Sequence, residues 1–152
     1  MLRGLQVFVS GIALAGFTLV GAAVASAQDA PAAPVMALDG DAAVITILIK
    51  PDKTADFESV IAKYKEALDK SDKPVRKTQL AGMKFFKSPT AVQGNTVYVV
   101  LVENVIKGQE YDITRVITEV FPVEVQALYQ KYKDSFAGRA ISTLNSYLVM
   151  QQ

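Results

Sequence analysis

Two segments of the chain are apolar at both odd and even positions over the length of a β-strand. They are residues 43–50, which Pro51 follows, and residues 96–105. A strand that is apolar on both sides is typical of the centre of a sheet, because a solvated edge strand alternates apolar and polar residues. We therefore predict that these two segments are central strands.

The segment after Pro51 has the period of an amphipathic helix. Large apolar side chains recur at intervals of three and four residues, while charged residues lie away from them. The apolar stripe consists of Phe57, Val60, Ile61, Tyr64 and Leu68. The pattern predicts a helix that ends near Lys70, before a loop that contains Pro74.

The middle of the chain has the pattern of a β-hairpin. Residues 75–87 alternate loosely and contain Met83, Phe85 and Phe86, so they predict a strand with a bulge at Gly82. A turn rich in Pro, Gly and Asn then leads into the apolar strand at 96–105.

Two apolar stripes separated by Pro122 predict a split or kinked helix after Asp112, which is suited to cap it. Gly138 is placed to end that helix. Residues 141–150 fit a final strand, and a continued helix is the alternative there.

The resulting order, β-α-β-β-α-β, predicts an α+β domain of the ferredoxin-like type. We expect an antiparallel four-stranded sheet with helices on one side. Two helices can cover one side of the sheet, but the predicted central strands are apolar on both. A second copy of the same sheet would cover the other side, so we predict a homodimer.

The N-terminus has the parts of a cleavable signal peptide. Arg3 precedes a long uncharged run, and Ala25-Ser26-Ala27 provides small side chains for a cleavage site. The alternative is an uncleaved membrane anchor, because the run approaches the length of a spanning helix. We predict a signal peptide over 1–27, an Ala/Pro-rich flexible tether over 28–41 and the α+β domain over 42–152, exported to the periplasm or secreted.

The composition of the chain limits which partners and which catalytic groups are possible. Lys and Arg number 16 against 15 Asp and Glu, and Arg3 is the one charged residue of the predicted leader, so the mature chain carries no net charge. Nucleic-acid binding needs a surplus of basic residues, so we expect no nucleic-acid partner. The chain has no run of like charges that would indicate a membrane partner once the leader is cleaved.

The sequence has no His and no Cys, which excludes His- or Cys-based catalytic groups and the usual zinc sites. We expect no metal and no cofactor.

The order of elements, the doubly apolar strands, the Gly82-Met-Lys-Phe-Phe86 strand and the Tyr98-Val-Val-Leu-Val102 strand resemble the dimeric α+β barrel superfamily, particularly its antibiotic-biosynthesis-monooxygenase-like branch. The resemblance covers about residues 43–150. It implies sheets paired across a two-fold axis and a hydrophobic ligand held between sheet and helices. Some members oxidise polyketide-like substrates without a cofactor, and others degrade haem with a histidine ligand, which this sequence lacks.

No residue is assigned a catalytic role, but six side chains are candidates for ligand binding. Each also has a structural interpretation, as a core residue, a strand end or a solvated strand position. The six are Arg76, Lys84, Phe86, Tyr98, Glu103 and Asn104. Arg76 and Lys84 are an even number of residues apart on the predicted hairpin strand, so they would lie on the same side of the sheet. Glu103 and Asn104 end the most apolar strand.

Two functions fit these observations. The leading hypothesis is a non-enzymatic exported module that binds a small apolar ligand or serves as a dimeric interaction domain. The alternative is a cofactor-independent, monooxygenase-like enzyme that acts on an apolar small molecule.

Overall fold

The computed structural model describes residues 33–147. The predicted signal peptide, the first part of the predicted tether (28–32) and the end of the predicted last strand (148–150) lie outside the described residues. Within 33–147, no helix is long and apolar enough to cross a membrane.

In this part of the chain, four helices and four strands follow one another. They are β1 (Ala42–Ile49), α1 (Thr54–Lys70), α2 (Pro74–Ala81), β2 (Met83–Lys87), β3 (Thr96–Val102), α3 (Ile113–Val120), α4 (Val125–Ser135) and β4 (Phe136–Leu144). A short 3-10 turn, Pro51–Lys53, leads into α1. The α+β class is therefore confirmed.

The four strands form one sheet in the order β2-β3-β1-β4, and each neighbouring pair is antiparallel. The central strands are β1 and β3, as their doubly apolar patterns predicted. They pair from Ala43 opposite Val102 to Ile49 opposite Thr96.

The helices lie on one side of this sheet. Ile45, Ile47 and Ile49 of β1 are buried in one cluster with Phe57 of α1. The other three helices contact α1, and Val116 and Ile117 of α3 complete a second cluster around it. We call this side the helix face. The predicted α1 stripe is buried on it, apart from Ile61, which is partly buried.

The opposite side, which we call the open face, carries the alternate residues of every strand. Strand register assigns to it Ala42, Val44, Thr46, Leu48, Lys84, Phe86, Val97, Val99, Leu101, Gly138, Ala140, Ser142 and Leu144. Neither buried core cluster in the described part of the chain includes any of these residues. Along β1, buried residues alternate with partly buried ones, and the partly buried ones are those of the open face.

The predicted strand over 75–87 is wrong in its first half, which forms α2. Pro74 occupies the first turn of that helix, where its fixed φ angle and missing N–H are both tolerated. Arg76 and Gln79 are three residues apart and are both buried. Gly82 is not a bulge: it caps α2, and a Cβ there would lie 2.5 Å from the carbonyl oxygen of Glu103.

The predicted helix break at Pro122 is confirmed, since α3 ends at Val120 and α4 begins at Val125. The predicted Asp112 cap is also confirmed, because its carboxylate accepts a hydrogen bond from the Arg115 N–H at 3.0 Å. Gly138 does not end a helix. The last strand begins at Phe136 rather than at residue 141 and already contains Gly138, so a continued helix is excluded over 136–144.

The described part of the predicted tether is packed against the domain. Leu38 is only 1% exposed, within the cluster of the helix face. The Glu110 carboxylate accepts hydrogen bonds from the N–H groups of Val35 at 2.6 Å and Met36 at 2.9 Å. Residues 35–38 therefore pack as part of the domain, although they precede β1 and were predicted to be a flexible tether.

Candidate functional site

The six candidate side chains do not form one site. Arg76 lies on α2 and is 2% exposed. Its guanidinium donates two hydrogen bonds to Glu119 of α3, at 3.0 and 2.6 Å. It also donates to Gln79 Oε1 and to the carbonyl of Glu110, both at 2.7 Å. Arg76 therefore ties α2 to α3 and to the loop before it.

The electrostatics of this interior ion pair favour its charged form. Burial raises the pKa of Glu119, but hydrogen bonds from Arg76 and Lys73 outweigh that effect, so the pKa lies below its ordinary value of 4.5. A bidentate arginine–carboxylate pair is among the strongest polar contacts in proteins. Its geometry is that of a structural tie, with the guanidinium directed at protein acceptors.

Lys84, Glu103 and Asn104 come together at a different place, where β3 ends. The Lys84 ammonium and a Glu103 carboxylate oxygen are 2.8 Å apart, with the two side chains 53% and 43% exposed. Asn104 has a φ angle of 56°, a left-handed conformation that asparagine tolerates better than most residues. This group forms a solvated rim at one corner of the open face.

Phe86 and Tyr98 lie at the other end of the β2–β3 hairpin, together with two residues that sequence analysis missed. The Tyr98 hydroxyl donates to Glu58 Oε1 at 2.6 Å, and the Lys87 ammonium donates to the same oxygen at 2.8 Å. Glu58 comes from α1, a distant part of the sequence. The local sequence shows only that Glu58 follows Phe57, a residue of the apolar stripe of α1. Helix periodicity does not indicate which strand such a residue will contact.

The contacts within this cluster favour the ordinary protonation state of each group. The hydrogen bond from Lys87, followed by that from Tyr98, lowers the pKa of Glu58. Glu58 in turn raises the pKa of Lys87. Burial, followed by the hydrogen bond to Glu58, raises the pKa of Tyr98. At neutral pH the cluster is a carboxylate, an ammonium and a neutral phenol.

An apolar pocket of about 170 Å³ opens beside these polar groups. It lies between α1 and the hairpin. Its lining residues are Phe57, Glu58, Ile61, Phe85, Phe86, Lys87 and Tyr98. A larger groove of about 410 Å³ adjoins it along α1 and β2 and shares Ile61 and Phe85 with it.

The interior around Tyr64, Tyr111 and Tyr132 is nearly filled. A cavity of about 20 Å³ remains there, which is room for about one water molecule. The Tyr64 hydroxyl donates to the Tyr111 carbonyl at 3.4 Å, and burial raises the pKa of Tyr64.

The shifted pKa values keep the corresponding groups in their ordinary charge states at neutral pH. Among residues 33–147, each shifted pKa moves away from neutrality: four carboxyl groups are lowered, and two lysines and three tyrosines are raised. General acid–base catalysis works best with a pKa near the operating pH. The same range holds no group of three or more acidic residues placed to bind a metal ion.

Comparisons with known proteins found no match to this chain among family models, curated proteins or solved structures. Among the described residues, two features are considered below as candidate functional surfaces. One is the open face of the sheet, and the other is the pocket beside Glu58, Lys87 and Tyr98.

Proposed function

We propose that the mature chain is an exported, non-enzymatic module that forms a homodimer through the open faces of two sheets and acts as a dimeric interaction domain. In this proposal the domain is ferredoxin-like, and the two sheets together form a dimeric α+β barrel. The element order and the strand order β2-β3-β1-β4 support this assignment.

The observation that carries the proposal is the apolar character of the open face. At its centre Val44 pairs with Leu101, Thr46 with Val99, and Leu48 with Val97 across β1 and β3. Val97 is buried, and the other five residues are partly buried. Four strands spaced about 4.8 Å apart, with some seven residues at 3.3 Å each, span roughly 400 Å², and the open-face residues on them are apolar apart from Thr46, Lys84 and Ser142. Soluble monomers rarely expose an apolar patch larger than a few hundred Å².

A second copy of the chain is the occupant that fits this surface best. A two-fold interface brings a patch against itself, so the patch must be self-complementary. The centre of the open face is uncharged, and its one ionisable residue, Lys84, lies on the edge strand and is neutralised by Glu103. Two such faces meet without burying like charges. Side chains around the sheet would supply the remainder of a typical interface, about 800 Å² per partner.

The choice of binding over catalysis rests on two further observations. The cavity among Tyr64, Tyr111 and Tyr132 is only about 20 Å³, so that part of the interior has no room for a substrate, and the larger pockets of about 170 and 410 Å³ lie along α1. The shifted pKa values also hold the described groups in their ordinary protonation states.

Oligomeric state tests the proposal directly. We expect the mature protein to scatter light as a dimer at micromolar concentration. Val99→Asp should give a monomer with an unchanged circular dichroism spectrum, because it places a charge at the centre of the open face. Val123→Asp is the matched control, because Val123 lies between α3 and α4 and is 92% exposed; it should remain dimeric. A folded wild-type monomer at micromolar concentration would refute the dimer.

Export is tested separately by the mass of the mature protein. Cleavage after Ala27, at the Ala25-Ser26-Ala27 sequence, predicts a chain that begins at Gln28. The intact mass of protein recovered outside the cytoplasm checks this. A full-length chain in the membrane fraction would instead favour the uncleaved anchor.

A further inference from the structure

The pocket between α1 and the β2–β3 hairpin is a separate surface from the centre of the open face. Its walls are apolar and partly aromatic. Phe57 is fully buried, and its ring lies 4.7 Å from that of Tyr98, centroid to centroid. Ile61 and Phe85 form the boundary with the adjoining groove. These walls favour a ligand with a flat apolar body.

The polar end of the pocket has unused hydrogen-bonding capacity. Tyr98 and Lys87 both donate to Oε1 of Glu58. Within residues 33–147, no group donates to Oε2 of the same carboxylate. An ionised carboxylate accepts hydrogen bonds at both oxygens, and the lowered pKa of Glu58 keeps it ionised. Glu58 lines the pocket and its side chain is 50% exposed, so this second oxygen can accept a hydrogen bond from a ligand in place of water.

Charge balance determines what kind of donor suits this acceptor. The Lys87 ammonium lies 2.8 Å from Glu58 Oε1, so the pair is neutral as a unit. A cationic ligand would meet Lys87, and an anionic ligand would meet Glu58. A neutral hydroxyl group satisfies Oε2 without disturbing the pair.

The volume of the pocket limits the size of the ligand. At the packing density of protein interiors, a space of 170 Å³ holds a molecule of about ten non-hydrogen atoms. Two fused rings with one hydroxyl group have this size.

We propose that this pocket binds a small, neutral, hydroxylated aromatic molecule whose hydroxyl donates to Glu58 Oε2 while its rings lie against Phe57, Ile61 and Phe85. The proposal does not rest on dimerisation. Phe86 lines the pocket but also belongs to the open face, so the test avoids changes at Phe86.

The test uses 2-naphthol and its methyl ether, 2-methoxynaphthalene, which have the same rings but differ in the donor. The sequence has no tryptophan, so the fluorescence of either probe reports binding to the mature protein. A hydrogen bond to a charged acceptor predicts that wild-type protein binds 2-naphthol about tenfold more tightly than the ether. Glu58→Ala should abolish this preference, leaving the two dissociation constants about equal.

Two further variants separate a pocket from non-specific binding. Ile61→Phe narrows the pocket and keeps the protein free of tryptophan, and it should weaken binding of both probes by at least about tenfold. Glu66→Ala is the matched control: Glu66 lies on the same helix and pairs with Lys63 and Lys70, so binding should not change. If Ile61→Phe does not fold, amide chemical-shift changes in wild-type protein decide instead, and they should centre on α1 and the hairpin.

Equal affinity of wild-type protein for the two probes would overturn the proposal, as would no binding of either. A preference for 2-naphthol that survives Glu58→Ala, or shift changes centred elsewhere, would also overturn it. None of these results bears on the dimer, which is tested by Val99→Asp.

Discussion

The two faces of strand β1 have nearly the same composition but different environments. On the helix face, Ile45, Ile47 and Ile49 are at most 5% exposed. On the open face, Val44 and Leu48 are only partly buried. Hydrophobicity is similar on the two sides, so the difference comes from what packs on each. One face is covered by helices of the same domain, and we propose that a second copy of the chain covers the other.

The ion pairs beside the two faces differ in the same way. Arg76 and Glu119 join helices of the covered side, and Arg76 is 2% exposed with its hydrogen bonds directed at protein acceptors. Lys84 and Glu103 lie at the rim of the open face, where both side chains are about half exposed. The first pair fixes how the helical layer is assembled, whereas the second pair is solvated.

The largest expected effect comes from placing a charge on the helix face. Ile47→Asp puts an unpaired carboxylate at a site that is 2% exposed, which costs several kcal/mol. Total stabilities of single domains are about 5–15 kcal/mol. We therefore expect Ile47→Asp to be largely unfolded, as measured by circular dichroism and urea denaturation.

The neighbouring substitution Leu48→Asp is the matched control, since it makes a similar change on the same strand but on the open face. It should fold and lose only the dimer. If both variants unfold, or if Ile47→Asp folds normally, the assignment of the two faces is wrong.

The second expected effect concerns the interior ion pair. Glu119→Gln leaves the buried guanidinium of Arg76 without its carboxylate partner, which costs about 3 kcal/mol. Urea denaturation of the wild type and the variant at neutral pH measures this difference. Glu66→Gln, which removes an exposed carboxylate paired with Lys70, should change stability by less than about 1 kcal/mol. An equal effect of the two substitutions would show that Arg76 does not depend on Glu119.

The same pair gives a third expected result, a dependence of stability on pH. The pKa of Glu119 is lowered in the folded protein, so the unfolded chain binds a proton at higher pH than the folded one does. The contribution of Glu119 is fully present above its ordinary pKa of 4.5 and is lost as the pH falls through the folded value below it. Stability of wild-type protein should fall toward that of Glu119→Gln over this range. A constant difference between the two proteins would contradict this expectation.

Sequence periodicity was sufficient for the elements that bury a regular stripe or alternate evenly. It located α1, the two central strands and the break at Pro122. It failed for α2, where two of the buried residues, Arg76 and Gln79, are polar. Hydrogen bonds satisfy their polar groups inside the protein, so no apolar stripe marks the helix. It also failed for Leu38, a single apolar residue in an Ala/Pro-rich segment, which is held in place by contacts with residues distant in sequence.

The candidate site was less accessible to sequence analysis than the fold. Phe86 and Tyr98 were named, but Glu58 and Lys87 were not, because their meeting depends on how α1 packs against the hairpin. The apparent pairing of Arg76 with Lys84 came from assigning both to one strand. Because Arg76 lies on a helix, the alternation of side chains along a strand does not determine which way it points.

The smallest expected effect is at the rim of the open face. Lys84→Ala removes the ion pair with Glu103, but both side chains are about half exposed, and pairs of this kind contribute less than about 1 kcal/mol. The measurement is best made in the Val99→Asp background, which we expect to be monomeric, so that urea denaturation reports the folding of one chain without a contribution from dimerisation. Raising the salt concentration should reduce the effect further, because exposed charges are screened. A loss well above 1 kcal/mol in that background would mean that Lys84 is as firmly built into the monomer as Arg76, and the contrast between the two ion pairs would fail.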